Sequence, residues 1–131
     1  MPRTVCTFLM FDGHAEEAMR CYVSLFRRAE IGNVERWGAG EQGAEGSIKR
    51  AHFRLAGHEL MFFDSPVKHD FTFTPAISLF VECEDEAELD AAFEQLSSGG
   101  QVFMPLGNYG FSRKFGWVGD RFGVTWQLNL D

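Results

Sequence analysis

The apolar run from Thr4 to Phe11 reads as a first strand. Asp12-Gly13-His14 then offers a turn and an N-cap for a helix reaching about Phe26. Along it Ala15, Ala18, Tyr22 and Leu25 keep the spacing of one helical face. Ala29 to Trp37 reads as a second strand. Gly38 to Gly46 holds four glycines and no large apolar residue, which predicts an exposed hairpin loop. Ile48 to Leu55 and Glu59 to Phe63 form two more strands around the turn Ala56-Gly57-His58, and Asp64 to Phe73 reads as a linker.

The series then restarts. Ala76 to Val81 predicts a strand, and Asp85-Glu86-Ala87-Glu88 resembles a capping box. Leu89, Ala92, Phe93 and Leu96 make the stripe of a second helix that stops at Gly99-Gly100. Strands follow at Gln101 to Met104, Gly110 to Val118 and Gly123 to Leu130, the last two joined by a tight turn at Gly119 to Gly123. In the last strand Val124, Trp126, Leu128 and Leu130 alternate with Thr125, Gln127 and Asn129, so one face is apolar and the other polar. Both halves are β-α-β-β-β. Ala18, Tyr22 and Leu25 recur as Leu89, Phe93 and Leu96, each 71 residues on, and the same offset carries Thr7-Phe8-Leu9 onto Ser78-Leu79-Phe80. At the ends of the halves, Glu59-Leu60 recurs as Gln127-Leu128, 68 residues on. Two copies of so long a period indicate a duplicated module, not a solenoid. The reading is an α+β chain of one domain, with module one at about 4–63 and module two at about 74–131.

Length and composition fit that reading. The 131 residues suit one domain, and 45% hydrophobic content with fourteen Phe supplies a core. A net charge of −7 argues against nucleic acid and against anionic lipid as partners. No apolar run approaches the roughly 20 residues of a membrane helix. The first residues lack a signal-peptide pattern. Three cysteines, Cys6, Cys21 and Cys83, without a CxxC pair, read as thiols of a reducing cytoplasm and not as a zinc site.

Three segments carry a family resemblance: Phe11 to Tyr22 (FDGHAEEAMRCY), Ala76 to Leu79 (AISL) and Phe115 to Leu128 (FGWVGDRFGVTWQL). Together with the paired modules they resemble the vicinal oxygen chelate superfamily of glyoxalases, antibiotic-resistance proteins and extradiol dioxygenases. Within it they are similar to the PhnB-like branch, also labelled demethylubiquinone methyltransferase-like. The resemblance implies two curved mixed sheets around a cleft, with modules paired within one chain or across a dimer, and it implies a homodimer.

In metal-dependent members of that superfamily, four positions on the first and last strand of each module hold the ion. The resemblance puts them here at Thr7, Glu59, Ser78 and Gln127. Hydroxyls and an amide are poor ligands for Zn, Ni, Fe or Mn, and Glu59 alone is a strong one, so no metal and no other cofactor is expected. A second set, His14, His52, His58 and His69, reads as surface or capping histidines, although His52 and Glu59 could face one another across adjacent strands. His58 and Glu59 are strand neighbours and point to opposite faces. Thr7, Glu59, Ser78 and Gln127 would instead bind a small molecule, with Leu9, Met61 and Phe80 two residues along as apolar wall. Glu59 in that wall would serve as a general base or accept a ligand hydrogen bond. Phe71, Phe73, Tyr109 and Phe111 read as core, interface or ligand-flanking rings, and Trp117 and Trp126 as core beneath the last turn. One of Arg113 and Lys114 would face the cleft.

A methyltransferase role finds no support in the residues, because no glycine-rich loop follows a strand and opens a helix. Three readings stand: a metal-free binder of an organic ligand; a lyase, isomerase or transferase-type enzyme using Glu59 with or without a recruited divalent metal; and a dimeric interaction module with a vestigial cleft.

Overall fold

A computed structural model describes residues 2–131. In module one β1 (Thr7–Phe11), α1 (Ala15–Leu25), β2 (Ala29–Arg36), β3 (Ile48–Leu55) and β4 (His58–Asp64) follow one another. In module two the series is β5 (Leu79–Glu82), α2 (Glu86–Ser97), β6 (Gln101–Gly107), β7 (Lys114–Gly119) and β8 (Thr125–Leu130). The sheets run β1-β4-β3-β2 and β5-β8-β7-β6. In each, the first and last strands pair in parallel and the other pairs are antiparallel. The fold is α+β, with a four-stranded mixed sheet and one helix in each β-α-β-β-β module. Contacts divide the chain into two compact units, one ending at Asp70 and the other spanning Phe71–Asp131.

Each core lies between a sheet and its helix. In module one Tyr22 of α1 meets Phe62 of β4, which also packs on Phe11 and Phe53. Ile48, Phe53, Leu60 and Phe62 are all buried. In module two Leu89, Ala92, Phe93 and Leu96 of α2 bury against Val118, Trp126, Leu128 and Leu130. These are the four residues of the stripe read from helical spacing. At Gly116 of β7 an added Cβ would lie 2.5 Å from the Phe93 ring, so glycine lets helix and sheet close.

The helices begin differently. Asp85 caps α2 as expected, accepting from the Glu88 N–H at 2.8 Å, while Glu88 reaches back to the Glu84 N–H at 2.9 Å. His14 makes no side-chain cap on α1. Instead Asp64, at the end of β4, accepts from the N–H groups of Gly13, Ala15 and Ile48 at 2.9, 3.0 and 2.9 Å. A carboxylate 49 residues from Ala15 therefore caps the helix and ties it to β3 and β4.

Several strands differ in extent from their sequence-based limits. Residues 76–78 precede β5 because the Ile77 carbonyl and the Ser78 hydroxyl bond to the Thr125 side chain, not to a ladder. β6 continues through Pro105 to Gly107; it is an edge strand, where a missing N–H costs no ladder bond. β7 starts only at Lys114, since Gly110 takes a φ of +100° and Ser112 donates to Asn129 at 2.5 Å.

Candidate functional site

Strand register decides which residues share a face. In module one the face against α1 carries Leu9 and Phe11 beside Phe62 and Asp64. Thr7 pairs with Leu60 on that same side, and its hydroxyl lies 2.9 Å from His58 Nε2. The opposite face carries Phe8, Met10, Glu59, Met61 and Phe63, with His52 and Arg54 of β3 alongside. Thr7 and Leu9 therefore do not converge with Glu59 and Met61. Leu9 is only 6% exposed and lies in the core. The cause is geometric: side chains alternate along a strand, so a one-residue difference in register exchanges the faces.

In module two the outcome is different. Gly116 and Leu128 pair and face α2, which puts Gln127 and Asn129 on the other side, with Phe80, Phe115 and Trp117 as their cross-strand partners. Ser78 and Thr125 join them through a 2.8 Å hydrogen bond. Thr125 Oγ1 gives its proton to the Ile77 carbonyl, which leaves Ser78 to donate. Ser78, Phe80 and Gln127 are thus brought to one face. The offset of 71 that aligns the helices carries Leu9 onto Phe80, yet Leu9 faces its helix and Phe80 faces away. The repeat matches helix to helix but not strand face to strand face.

Around Gln127 the surroundings are aromatic. Phe103 and Trp117 have ring centroids 4.9 Å apart, and Phe80 and Phe115 lie at 6.3 Å. Phe80 is 53% exposed. The Gln127 side-chain amide is half-buried and has no hydrogen-bond partner among the described residues. The indole N–H of Trp117 is buried and also unpartnered. The sequence pattern places Trp117 in the core beneath the last turn with Trp126. Only Trp126 is there, its Nε1 donating to Asp120 at 3.0 Å. A groove of about 420 Å3 in this module is lined by Phe73, Phe103, Arg121, Phe122 and Thr125. The exposed rings of Tyr109 and Phe111 pack against buried Phe115, and Phe71 is exposed. Lys114 turns to α2 and pairs with Glu86 and Asp90 at 2.9 and 2.7 Å.

Glu59 is not walled by apolar groups. Its Oε1 accepts from Arg54 Nε and Nη2 at 3.0 and 2.8 Å, and Arg54 also approaches Glu30 at 3.4 Å. These carboxylates push the Arg54 pKa up, chiefly through the Glu59 hydrogen bonds. His52 shares with Glu59 a surface groove of about 420 Å3 that Arg54 and Asn33 also line. Sequence reasoning missed Arg54. The only available signal was its position five residues before Glu59 across a two-residue turn, which makes the two cross-strand partners.

The four chelating positions do not fit a metal. Thr7 and Glu59 lie on opposite faces of one sheet, Glu59 is engaged by Arg54, and Ser78 and Gln127 offer a neutral hydroxyl and amide. The histidines are dispersed: His58 meets Thr7, His69 lies 3.2 Å from Ser65, and His14 lies 3.6 Å from Glu17. No group of three or more His, Cys, Asp or Glu among the described residues could hold an ion.

Two mixed sheets, each backed by one helix in β-α-β-β-β order, are the architecture of the vicinal oxygen chelate superfamily. The same fold occurs in a glyoxylase/bleomycin resistance protein/dioxygenase domain from Frankia, 16% identical, with a TM-score of 0.63 over 99% of this chain and 93% of that one. Within that class, the chain belongs to the family described as 3-demethylubiquinone-9 3-methyltransferase, whose model it matches over residues 3–129. It is 51% identical to a putative 3-demethylubiquinone-9 3-methyltransferase, PhnB protein, from Bacillus cereus, with a TM-score of 0.94 over 98% of this chain and 100% of that one. It is also 24% identical to protein YjdN of Escherichia coli, over 94% of this chain and 92% of that protein.

A methyl-donor nucleoside finds no matching turn. At the β1–α1 turn the Gly13 and Ala15 N–H groups are taken by Asp64, and at the β5–α2 turn Asp85 and Glu88 take the N–H groups of Glu88 and Glu84. No helix among the described residues is long and apolar enough to cross a membrane.

Proposed function

We propose that the protein binds a small organic molecule, without a metal, on the face of the second sheet that carries Gln127. One observation carries this reading: Gln127 is half-buried between its cross-strand partners Phe80 and Trp117, and no other side chain engages its amide. An amide that no protein group engages keeps its donor and acceptor open to a bound molecule. A donor–acceptor amide with aromatic walls is the usual composition of a small-ligand site. The ligand is expected to present a carbonyl or hydroxyl to Gln127 and an apolar or planar body to Phe80. Ser78 adds a hydroxyl at the same face. A homodimer in the cytoplasm belongs to the same reading.

The test is a ligand-observed NMR screen of metabolite mixtures, followed by titration of any hit against Gln127→Met and Phe80→Ala. Loss of the amide should weaken binding about tenfold, the value of one hydrogen bond of ~1.4 kcal/mol. Unchanged affinity in both variants would sink the proposal. Gln127→Met should leave the fold about as stable as before, since the amide makes no bond within the protein.

A second reading, proton transfer by Glu59, is favoured by His52 beside it in the groove of module one. It is opposed by Arg54, which engages Oε1 of the carboxylate through two hydrogen bonds and favours its charged, less basic form. Should an activity be found, turnover unaffected by Glu59→Gln would remove Glu59 from the mechanism.

A further inference from the structure

The chain carries a net charge of −7, yet one corner of module one reverses that sign. Just beyond the end of α1, Arg27 and Arg28 meet Arg54 across a concavity of about 300 Å3 that the Ala56–Gly57 turn closes and Glu30 borders. Three arginines and one glutamate line it. The backbone holds the corner in place: Ala56 N–H donates to the Arg28 carbonyl at 2.7 Å, so the end of the helix and the β3–β4 turn are one unit. The turn is tight, with φ of +49° at Ala56 and +86° at Gly57. The Arg28 guanidinium has no acceptor among the described residues. Arg54 is held in the fork by Glu59 and Glu30, but these pairs are exposed, and exposed pairs are worth about 0–1 kcal/mol. A stronger acceptor would displace them at little cost.

We infer that this corner is a binding site for a tetrahedral oxyanion, as inorganic phosphate or the phosphate of a monoester. Like-charged arginines that converge on a concavity repel one another unless an anion lies between them. Guanidinium forks match phosphate oxygens in bidentate pairs. A dianion with several acceptor oxygens serves the forks of Arg28 and Arg54 together better than the single carboxylates already present. The corner is built from module one alone and the Gln127 face from module two alone, so either proposal can fail without the other.

The experiment is a 1H–15N NMR titration of the whole protein with inorganic phosphate, against sodium chloride at equal ionic strength. Amide shifts confined to Arg28, Ala29 and Gly57, saturating in the millimolar range, are expected. Arg28→Ala and Arg54→Ala should each raise the dissociation constant at least tenfold. Arg28 is on the surface with a free side chain, so its variant keeps the fold. Glu59→Gln releases Arg54 and should tighten binding. Methyl phosphate distinguishes the sources: tighter binding than phosphate points to a phosphorylated small molecule, equal binding to free phosphate. No shifts beyond those in chloride, or the same affinity in Arg28→Ala and Arg54→Ala, would overturn the inference.

Discussion

Replacing Asp64 by Asn changes one oxygen into an NH2 group and tests whether a buried carboxylate holds module one together. Asp64 is 3% exposed and accepts three backbone N–H bonds, two at Oδ1 from Gly13 and Ala15 and one at Oδ2 from Ile48. Asparagine keeps a single acceptor oxygen. Whichever way the amide turns, at least one buried N–H faces another donor. An unsatisfied buried donor costs about 1–3 kcal/mol. Loss of the charge at the start of α1 adds about 0.5–1 kcal/mol. The sum is about 3 kcal/mol for Asp64→Asn, and about 5 kcal/mol for Asp64→Ala, which abandons all three donors. At this chain length 1 kcal/mol moves Tm by about 4 °C, so Asp64→Asn should melt roughly 12 °C lower. Urea unfolding followed by tryptophan fluorescence is the assay. Trp37 is the one tryptophan of module one, and its Nε1 donates to the Asp64 carbonyl at 3.1 Å, so it reports on this corner. An Asn variant within ~0.5 kcal/mol of the parent would mean that the carboxylate does not clasp helix to sheet.

Three further outcomes follow from named contacts. Glu16 pairs with Arg36 and Arg20, and their hydrogen bonds lower its pKa from 4.5 to about 2. A depressed folded pKa stabilises above the unfolded value, so the advantage over Glu16→Gln should be present at pH 7 and vanish as pH falls from about 4.5 to about 2. With both arginines substantially exposed it should not exceed about 1 kcal/mol, and a gap persisting at pH 2 would contradict the assignment. Burial pushes the Cys83 thiol up to about 12, with the nearby Glu88, Glu82 and Asp85 charges adding to the effect. Iodoacetamide at pH 8 should spare Cys83 in the native protein and label it after denaturation; mass spectrometry showing native labelling would refute this. Gly116→Ala puts a methyl 2.5 Å from Phe93 and 2.8 Å from Leu106 and should cost about 1–3 kcal/mol by overpacking, measured as a loss in Tm.

The sequence alone determined the order of elements, because periodicity is local. Leu89, Ala92, Phe93 and Leu96 had to share one helical face, and they are the buried face of α2. The alternation after Gly123 separated Trp126, Leu128 and Leu130 from Gln127, and the structure keeps that division. The 71-residue repeat revealed the duplication, yet it could not say which strand residues face together. That depends on the pairing of β1 with β4 and of β5 with β8, strands distant along the chain, and a single-residue difference exchanges the faces. Hence Ser78, Phe80 and Gln127 meet, while Thr7 and Leu9 fall on the side away from Glu59 and Met61. Asp64 as the cap of α1, Arg54 as the partner of Glu59, and Trp117 outside the helix-backed core arise likewise from contacts between separate elements. Spacing along a chain records which side chains can share a face; only the packed sheet decides what that face meets.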